Sequence, residues 1–296
     1  MKNGKYLFNA YQIKILALLC MLADHVGLFF LEDVVFLRYI GRLSAPLFLF
    51  CLVWGLDYTH DRKKYLMRLY IFSLIMEALW AVLGIWIKDR SLQHNNIFST
   101  FFVIAMFISI LTSQNEKETM PKKILRLCLW QLFSLLLCFI TDLYPIARFV
   151  RAATGSVFLN EGGVAWCILG ILLYYIKNNK KTLIMGYAGY CILYELMAAT
   201  AILARILYFI TYHASGIPWF TGLCEILYKL FTQENYFQTP MILHGLYWGD
   251  YQWIMIFALP IMLLYNHERG TGNKWFFYLF YPIHLVAFTL IQNVLG

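Results

Sequence analysis

The sequence predicts an all-α, polytopic transmembrane helical bundle. Three observations carry this: 61% of the 296 residues are hydrophobic, 14% are charged, and the mean hydropathy is +0.64. A soluble chain carries about 25% charged residues. The missing charge is absent from long blocks, which is the pattern lipid demands, because each backbone polar group must be paired inside its own helix. A soluble all-helical protein would keep a polar face on each helix, and most of these blocks have none.

A hydrocarbon core of ~30 Å takes roughly 17 to 25 helical residues per crossing. Nine blocks fit: residues 13–31, 39–57, 69–87, 97–113, 124–140, 157–176, 183–202, 247–265 and 275–295. The eighth contains Asp250 and Pro260 and is the least regular. The expected count is about nine spans, within a range of about 8 to 11. The whole chain, residues 1–296, reads as one membrane domain. Between the seventh and eighth blocks, residues 208–246 are rich in aromatics and punctuated by Gly216, Pro218 and Pro240, and read as an insertion on the outer side.

Orientation follows from the basic loops. With the N-terminus inside, Lys2, Lys5, Lys14, the Arg62-Lys63-Lys64 run, Arg68, Lys117, Lys122, Lys123 and Arg126 lie on the inner side. So do Lys177, Lys180, Lys181, Arg269 and Lys274. The expected address is therefore the bacterial cytoplasmic membrane, multi-pass, N-in, with the bilayer as its first partner. The basic residues are scattered over loops, so no nucleic-acid partner is expected. Six of the seven cysteines lie in apolar blocks and pack there as small hydrophobes, and without a CxxC neither zinc nor disulfides are expected. Asp24-His25 interrupts the first block, which reads as a retained span and not a cleaved signal peptide.

Ionisable residues inside spans are costly and mark function or a buried pair. Lys14 and His25 are separated by almost a whole number of helical turns, so both share one face, ~16 Å apart along the axis. Adjacent Asp24 points ~100° away from His25. Arg42 opens the second span and either pairs with Glu32 or Asp33 or lines a site. Glu77 lies near the middle of the third span, Asn95 and Asn96 begin the fourth, Glu161 enters the sixth, and His284 sits mid-way along the last. Each alone has a structural explanation as an interhelical hydrogen-bonding group. Together, at compatible depths, they describe a buried polar cavity. A histidine with near-neutral pKa takes protons from amine or hydroxyl nucleophiles, a carboxylate can orient it, and an arginine can stabilise an oxyanion. The same parts serve a proton-coupled transporter. The residues leave both readings open.

Several runs resemble one family. Ile13-Lys14-Ile15, then Met21-Leu22-Ala23-Asp24-His25-Val26-Gly27, and Leu37-Arg38-Tyr39-Ile40-Gly41-Arg42-Leu43-Ser44-Ala45-Pro46-Leu47-Phe48 look like the N-terminal signature of the TraX family. Asp61-Arg62-Lys63-Lys64-Tyr65-Leu66-Met67-Arg68-Leu69, Asn95-Asn96-Ile97-Phe98-Ser99, Asn160-Glu161-Gly162-Gly163 and the stretch from Trp275 to Leu285 fit it too. The family's namesake is the conjugative F-pilin acetylase. The resemblance implies an acetyl-CoA-dependent transmembrane acetyltransferase. It extends to transmembrane acyltransferases of extracytoplasmic sugars, which place a basic residue ahead of a first-span His at the spacing of Lys14 and His25.

On that resemblance His25 is expected to act as base, with Asp24 orienting it through other groups and His284 as a second base. Arg42 and Glu77 would shape the site. Lys14, Arg62, Lys63, Lys64 and Arg68 would attract the phosphates of acetyl-CoA, the acyl donor, and no metal is implied. Asn96 and Glu161 would lie toward an extracytoplasmic acceptor, a glycan or a pilin-like N-terminus. The rival is a proton-coupled transporter of a small polar solute, and a further possibility is a non-catalytic assembly partner. The transporter predicts inverted repeats, and the chain shows no clear repeat.

Overall fold

The structure is a computed structural model. It describes residues 7–87, 95–114, 118–141, 146–200 and 251–295, with isolated positions between 206 and 213. The 208–246 insertion lies almost wholly outside the described residues. Within them the secondary structure is helical, with one isolated backbone bridge, Phe8 to Tyr265.

The helices in chain order are α1 (Ala10–Phe29), α2 (Val35–Gly41), α3 (Ser44–Tyr58), α4 (Arg62–Ile87), α5 (Ile97–Leu111) and α6 (Met120–Ile140). Then come α7 (Ile146–Thr154), α8 (Gly163–Ile176), α9 (Lys180–Thr200), a 3-10 segment (Gln252–Phe257), α10 (Ala258–Leu263) and α11 (Lys274–Leu295). Five stretches among the described residues are long and apolar enough to cross a membrane: Ala10–Phe29, Val35–Tyr58, Arg62–Ile87, Met120–Ile140 and Trp275–Val294. Ile97–Leu111, Gly163–Ile176 and Gln252–Leu263 are shorter apolar helices. The described residues are thus those of a helical membrane protein.

Two of the predicted blocks are reshaped. The one at 157–176 becomes helical only at Gly163, and the one at 247–265 is a 3-10 turn running into the short α10. Pro260 explains the second, since it cannot donate to a continuous ladder.

The ends are built from local chemistry. Asn9 caps α1 by accepting from Gln12 N, and the Gln12 side chain answers on Asn9 N, a reciprocal capping box. Asp61 Oδ1 accepts from Lys64 N at 3.0 Å and caps α4. Gly41 allows α2 to lie against α1: a Cβ there would meet the Asp24 side chain at 2.2 Å. These contacts gather the Lys14 end of α1, the α3–α4 turn and residues 264–269 at one end of the bundle, here the basic end.

One element was not visible in the sequence. Helix α7 runs alongside α4 and α6 and stops level with their interiors. Trp130 Nε1 donates to Thr154 O (2.7 Å) and Gln131 Nε2 to Gly155 O (3.0 Å), from the middle of α6. The following backbone is irregular and buried at Gly155, Ser156 and Val157. Buried backbone without a ladder needs other partners, and Gln131 supplies two, since its Oε1 also accepts from Val157 N at 2.8 Å.

Candidate functional site

A cavity of about 430 Å³ enters from the basic end. Exposed His60, Lys64 and Arg269 stand at its mouth, Lys14 and Arg68 lie further in, and its inner wall is buried Met21, Phe98 and Tyr281. Asp61 is also at the mouth, where the Lys64 backbone N–H holds its carboxyl below the usual carboxylate range. Two donors in this wall are buried without partners: Trp54 Nε1 and Arg68 Nε. Unsatisfied buried donors cost about 1–3 kcal/mol each, a cost that an occupant carrying acceptors would relieve.

The expected cation set is divided by the structure. Lys14, Lys64 and Arg68 line the cavity; Lys63 is exposed and is not part of the lining. Arg62 is engaged in structural bonds: Nε to Leu56 O (3.2 Å), Nη1 to Thr112 Oγ1 (2.9 Å), and Nη2 near Asp57 Oδ1 (3.7 Å). Lys177 shares that Asp57 at 2.9 Å, and burial pushes its ammonium below the ordinary lysine value while Asp57 opposes the shift. Arg269 is a lining cation that sequence reasoning placed in an inner loop but not in the site.

One helical turn beyond Met21 and Tyr281, α1 and α11 meet at two histidines. His25 Nδ1 lies 2.7 Å from His284 Nε2, and both side chains are buried. His284 Nδ1 lies 2.8 Å from Phe280 O. A carbonyl can only accept, so His284 Nδ1 carries the proton and its Nε2 accepts from His25 Nδ1–H. The neutral pair therefore leaves His25 Nε2 as the ring nitrogen with a lone pair. On α11, Pro282 lies inside the continuous helix two residues before His284 and removes one backbone donor from its ladder. Tyr281 joins the pair to the cavity, with its ring edge-on to His284 at 5.7 Å. Its hydroxyl donates to Glu161 Oε2 (3.2 Å) and accepts from Ile97 N (3.3 Å).

The other face of α1 is different. Asp24 Oδ1 accepts from Arg42 Nη2 (2.8 Å) and Arg38 Nη1 (3.0 Å), and Arg38 also donates to the Asp24 carbonyl (2.9 Å). Arg42 Nη1 reaches Gln252 Oε1 at 3.1 Å, and its guanidinium covers the Tyr251 ring. Of the two readings of Arg42, a partner for Glu32 or Asp33 or a lining residue, the first is not what forms: Arg42 joins Asp24 in an ion-pair cluster that lies within electrostatic reach of His25. Arg38, one turn before Arg42 on the same face, gave an i,i+4 signal that sequence reasoning passed over.

The remaining expected residues form a polar layer at the histidine end. Asn96 Nδ2 donates to Glu77 Oε1 (2.7 Å) and to Ser73 O (3.0 Å), and its Oδ1 caps α5 at Ser99 N. Thr100 Oγ1 donates to the Glu161 carbonyl. Gly162 holds a left-handed conformation (φ +76°) as the cap of α8, where a Cβ would collide with Trp166. Asn96 and Glu161 thus meet through Ile97 and Tyr281, whereas Glu77 touches the layer through Asn96.

Fold and site together define a helical membrane protein with a basic-mouthed cavity ending near a buried histidine pair. Residues 9–144, a little under half of the chain, match the family model of the TraX protein, as the N-terminal motifs suggested. The matches read at Asn160–Gly163 and in α11 lie beyond that range. The chain is 32% identical over 127 residues to a "Probable fimbrial assembly protein FimC, serogroup H1" of Dichelobacter nodosus, covering 40% of this chain and 51% of that protein. The chain thus spans about half the length of the curated relative it matches. No solved structure matches.

Proposed function

We propose that this protein is an integral-membrane acetyltransferase, moving an acetyl group from acetyl-CoA to an amine or hydroxyl of an extracytoplasmic acceptor. The observation that carries it is the alignment of a cation-lined cavity with the histidine pair at its inner end. The sequence similarity to the TraX family and to a protein named for fimbrial assembly supports the same reading.

In this reading the N-terminus and the basic end face the cytosol, in a bacterial cell membrane. Lys14, Lys64, Arg68 and Arg269 would hold the phosphates of the donor, with the apolar wall from Leu52 to Phe98 taking its narrower arm. Bound there, the donor supplies an activated acetyl thioester. His25 Nε2 takes the proton of the attacking amine or hydroxyl, and His284 holds the ring in the tautomer that leaves this nitrogen basic. The proton can then return to the departing sulfur. Asn96 and Glu161, joined through Ile97 and Tyr281, stand beside the inner wall of the cavity, where the acceptor would meet the donor.

The test is thiol release from acetyl-CoA by the purified protein in nanodiscs with small amine and hydroxyl acceptors. Acceptor-dependent release that is lost in His25→Gln supports the mechanism. Acetyl-CoA binding with turnover unchanged in His25→Ala would remove the mechanism and keep the class. One observation favours the rival transporter: α7 and the irregular 155–162 backbone interrupt the bundle, as transporter sites do. Solute uptake into proteoliposomes without CoA consumption would select it.

A further inference from the structure

The acetyltransferase reading leaves part of the polar layer unexplained. Ser73 Oγ on α4, Arg151 Nε on α7, and Ser156 Oγ and Asn160 Oδ1 in the following loop are buried without a hydrogen-bond partner. Ser73, Ser156 and Asn160 are at most 5% exposed. At about 1–3 kcal/mol for each such atom, four of them on adjoining elements are a cost that folding alone does not explain.

The elements converge. Tyr70 OH donates to Ala153 O at 3.2 Å, which sets α7 antiparallel to α4 with Arg151 near the level of Ser73. Asn96 ties Ser73 and Glu77 together, and Glu77 lies within electrostatic reach of both Arg148 and Arg151. Asn160 and Glu161 are held to α5 through Thr100. Arg151 therefore keeps an unpaired guanidinium N–H on elements that also carry two unpaired hydroxyls, Ser73 Oγ and Ser156 Oγ. Ile146 and Phe149 are exposed, so α7 borders the outside of the bundle. A phosphate or carboxylate satisfies such donors, and guanidinium geometry suits both. Asn160 Oδ1, an acceptor only, suits a hydroxyl or amine on the same ligand.

We propose that α7 and the 155–162 loop, with Ser73 of α4, form a subsite for the anionic group of the acceptor, a phosphate or carboxylate carried near a hydroxyl or amine. The word acceptor rests on the transferase reading; the anion site does not. Asn96, which holds Ser73, precedes Ile97 of the cavity's inner wall, so the subsite adjoins the inner end of the donor cavity, where an acceptor would meet the donor.

The test uses the full-length protein in phosphatidylcholine nanodiscs, with inorganic phosphate as probe and chloride at matched ionic strength as control. The readout is the thermal unfolding midpoint. Arg68→Gln is used as background, so that phosphate binding at the cavity mouth is weakened. Phosphate should still raise the midpoint in that background. Adding Arg151→Gln should weaken apparent phosphate affinity about tenfold or more, while Arg151→Lys, which keeps the charge and the fold, should retain part of it. Discs containing phosphatidylglycerol identify the source: loss of the response there means the lipid headgroup already fills the site, and persistence means a soluble anion is preferred, and both support an anion subsite. A response no larger than that of chloride, or one abolished by Arg68→Gln alone, overturns the proposal. A phosphate response in a protein that never consumes acetyl-CoA would keep the subsite and remove the transferase reading.

Discussion

Asp24 and His25 are neighbours in sequence at the same depth on α1, yet they have opposite fates. Asp24 is clamped by Arg38 and Arg42, which both donate to its Oδ1. His25, turned ~100° away, spends one nitrogen on His284 and keeps the other available. One residue holds α2 onto α1 and the other offers a base to the interior. A polar residue within a span is thus a constraint on the fold or a reagent according to the partners that packing brings to it: two cations for Asp24, a neutral ring for His25.

The sharpest way to break this comparison is to remove each group in turn. His25→Ala should lower transfer by ~10²- to 10⁴-fold, the range for loss of a general base, well beyond what the ~1–3 kcal/mol lost with its buried bond to His284 explains. Asp24→Asn should cost stability and leave turnover of the folded protein largely intact. It leaves two guanidinium groups facing a neutral amide, and since all three side chains keep about a fifth of their surface exposed, the cost is set at ~2 kcal/mol, below the ~3–5 kcal/mol of a fully buried pair. Unfolding of the two variants, followed beside thiol release, checks both at once. If Asp24→Asn abolished turnover while leaving stability intact, the division between clamp and base would be lost. Gly41→Ala probes the same clamp without touching charge. A methyl at that site meets Asp24, and overpacking of this kind costs ~1–3 kcal/mol.

The long helices were legible because lipid imposes a composition that shows in any window of sufficient length. Helix α7 was not: it is nine residues long, carries Arg148 and Arg151, and sits where a loop was expected. Its position depends on Gln131 and Trp130 in α6, partners that no local pattern announces. The site was legible in its parts and not in its pairings. Lys14 and His25 could be placed on one face from helical spacing alone, and Lys14 does line the cavity that ends one turn short of His25. His25 and His284 are 259 residues apart and meet only through tertiary packing. Arg42 could be read either toward Glu32 and Asp33 or into a site, and only the packing of α2 on α1 brings it to Asp24.

The smallest expected effects come from the basic run at the start of α4, and they sharpen the same distinction at the cavity mouth. Three cations close in sequence have three different situations. Arg68 lines the cavity with its Nε unpaired, Arg62 is held by Leu56, Thr112 and Asp57, and Lys63 faces outward. Arg68→Gln should therefore raise KM for acetyl-CoA about tenfold, near the ~1.4 kcal/mol of one lost charge-assisted contact, with kcat less affected. Arg62→Gln should lower stability by ~1 kcal/mol through its lost structural hydrogen bonds and leave KM nearly unchanged. Lys63→Ala should change neither beyond ~0.5 kcal/mol, as for any exposed substitution. The measurement is a KM and kcat series paired with unfolding midpoints. Equal KM increases from all three would mean that the run acts as a diffuse electrostatic field, and that the cavity wall does not single out Arg68 as a ligand contact.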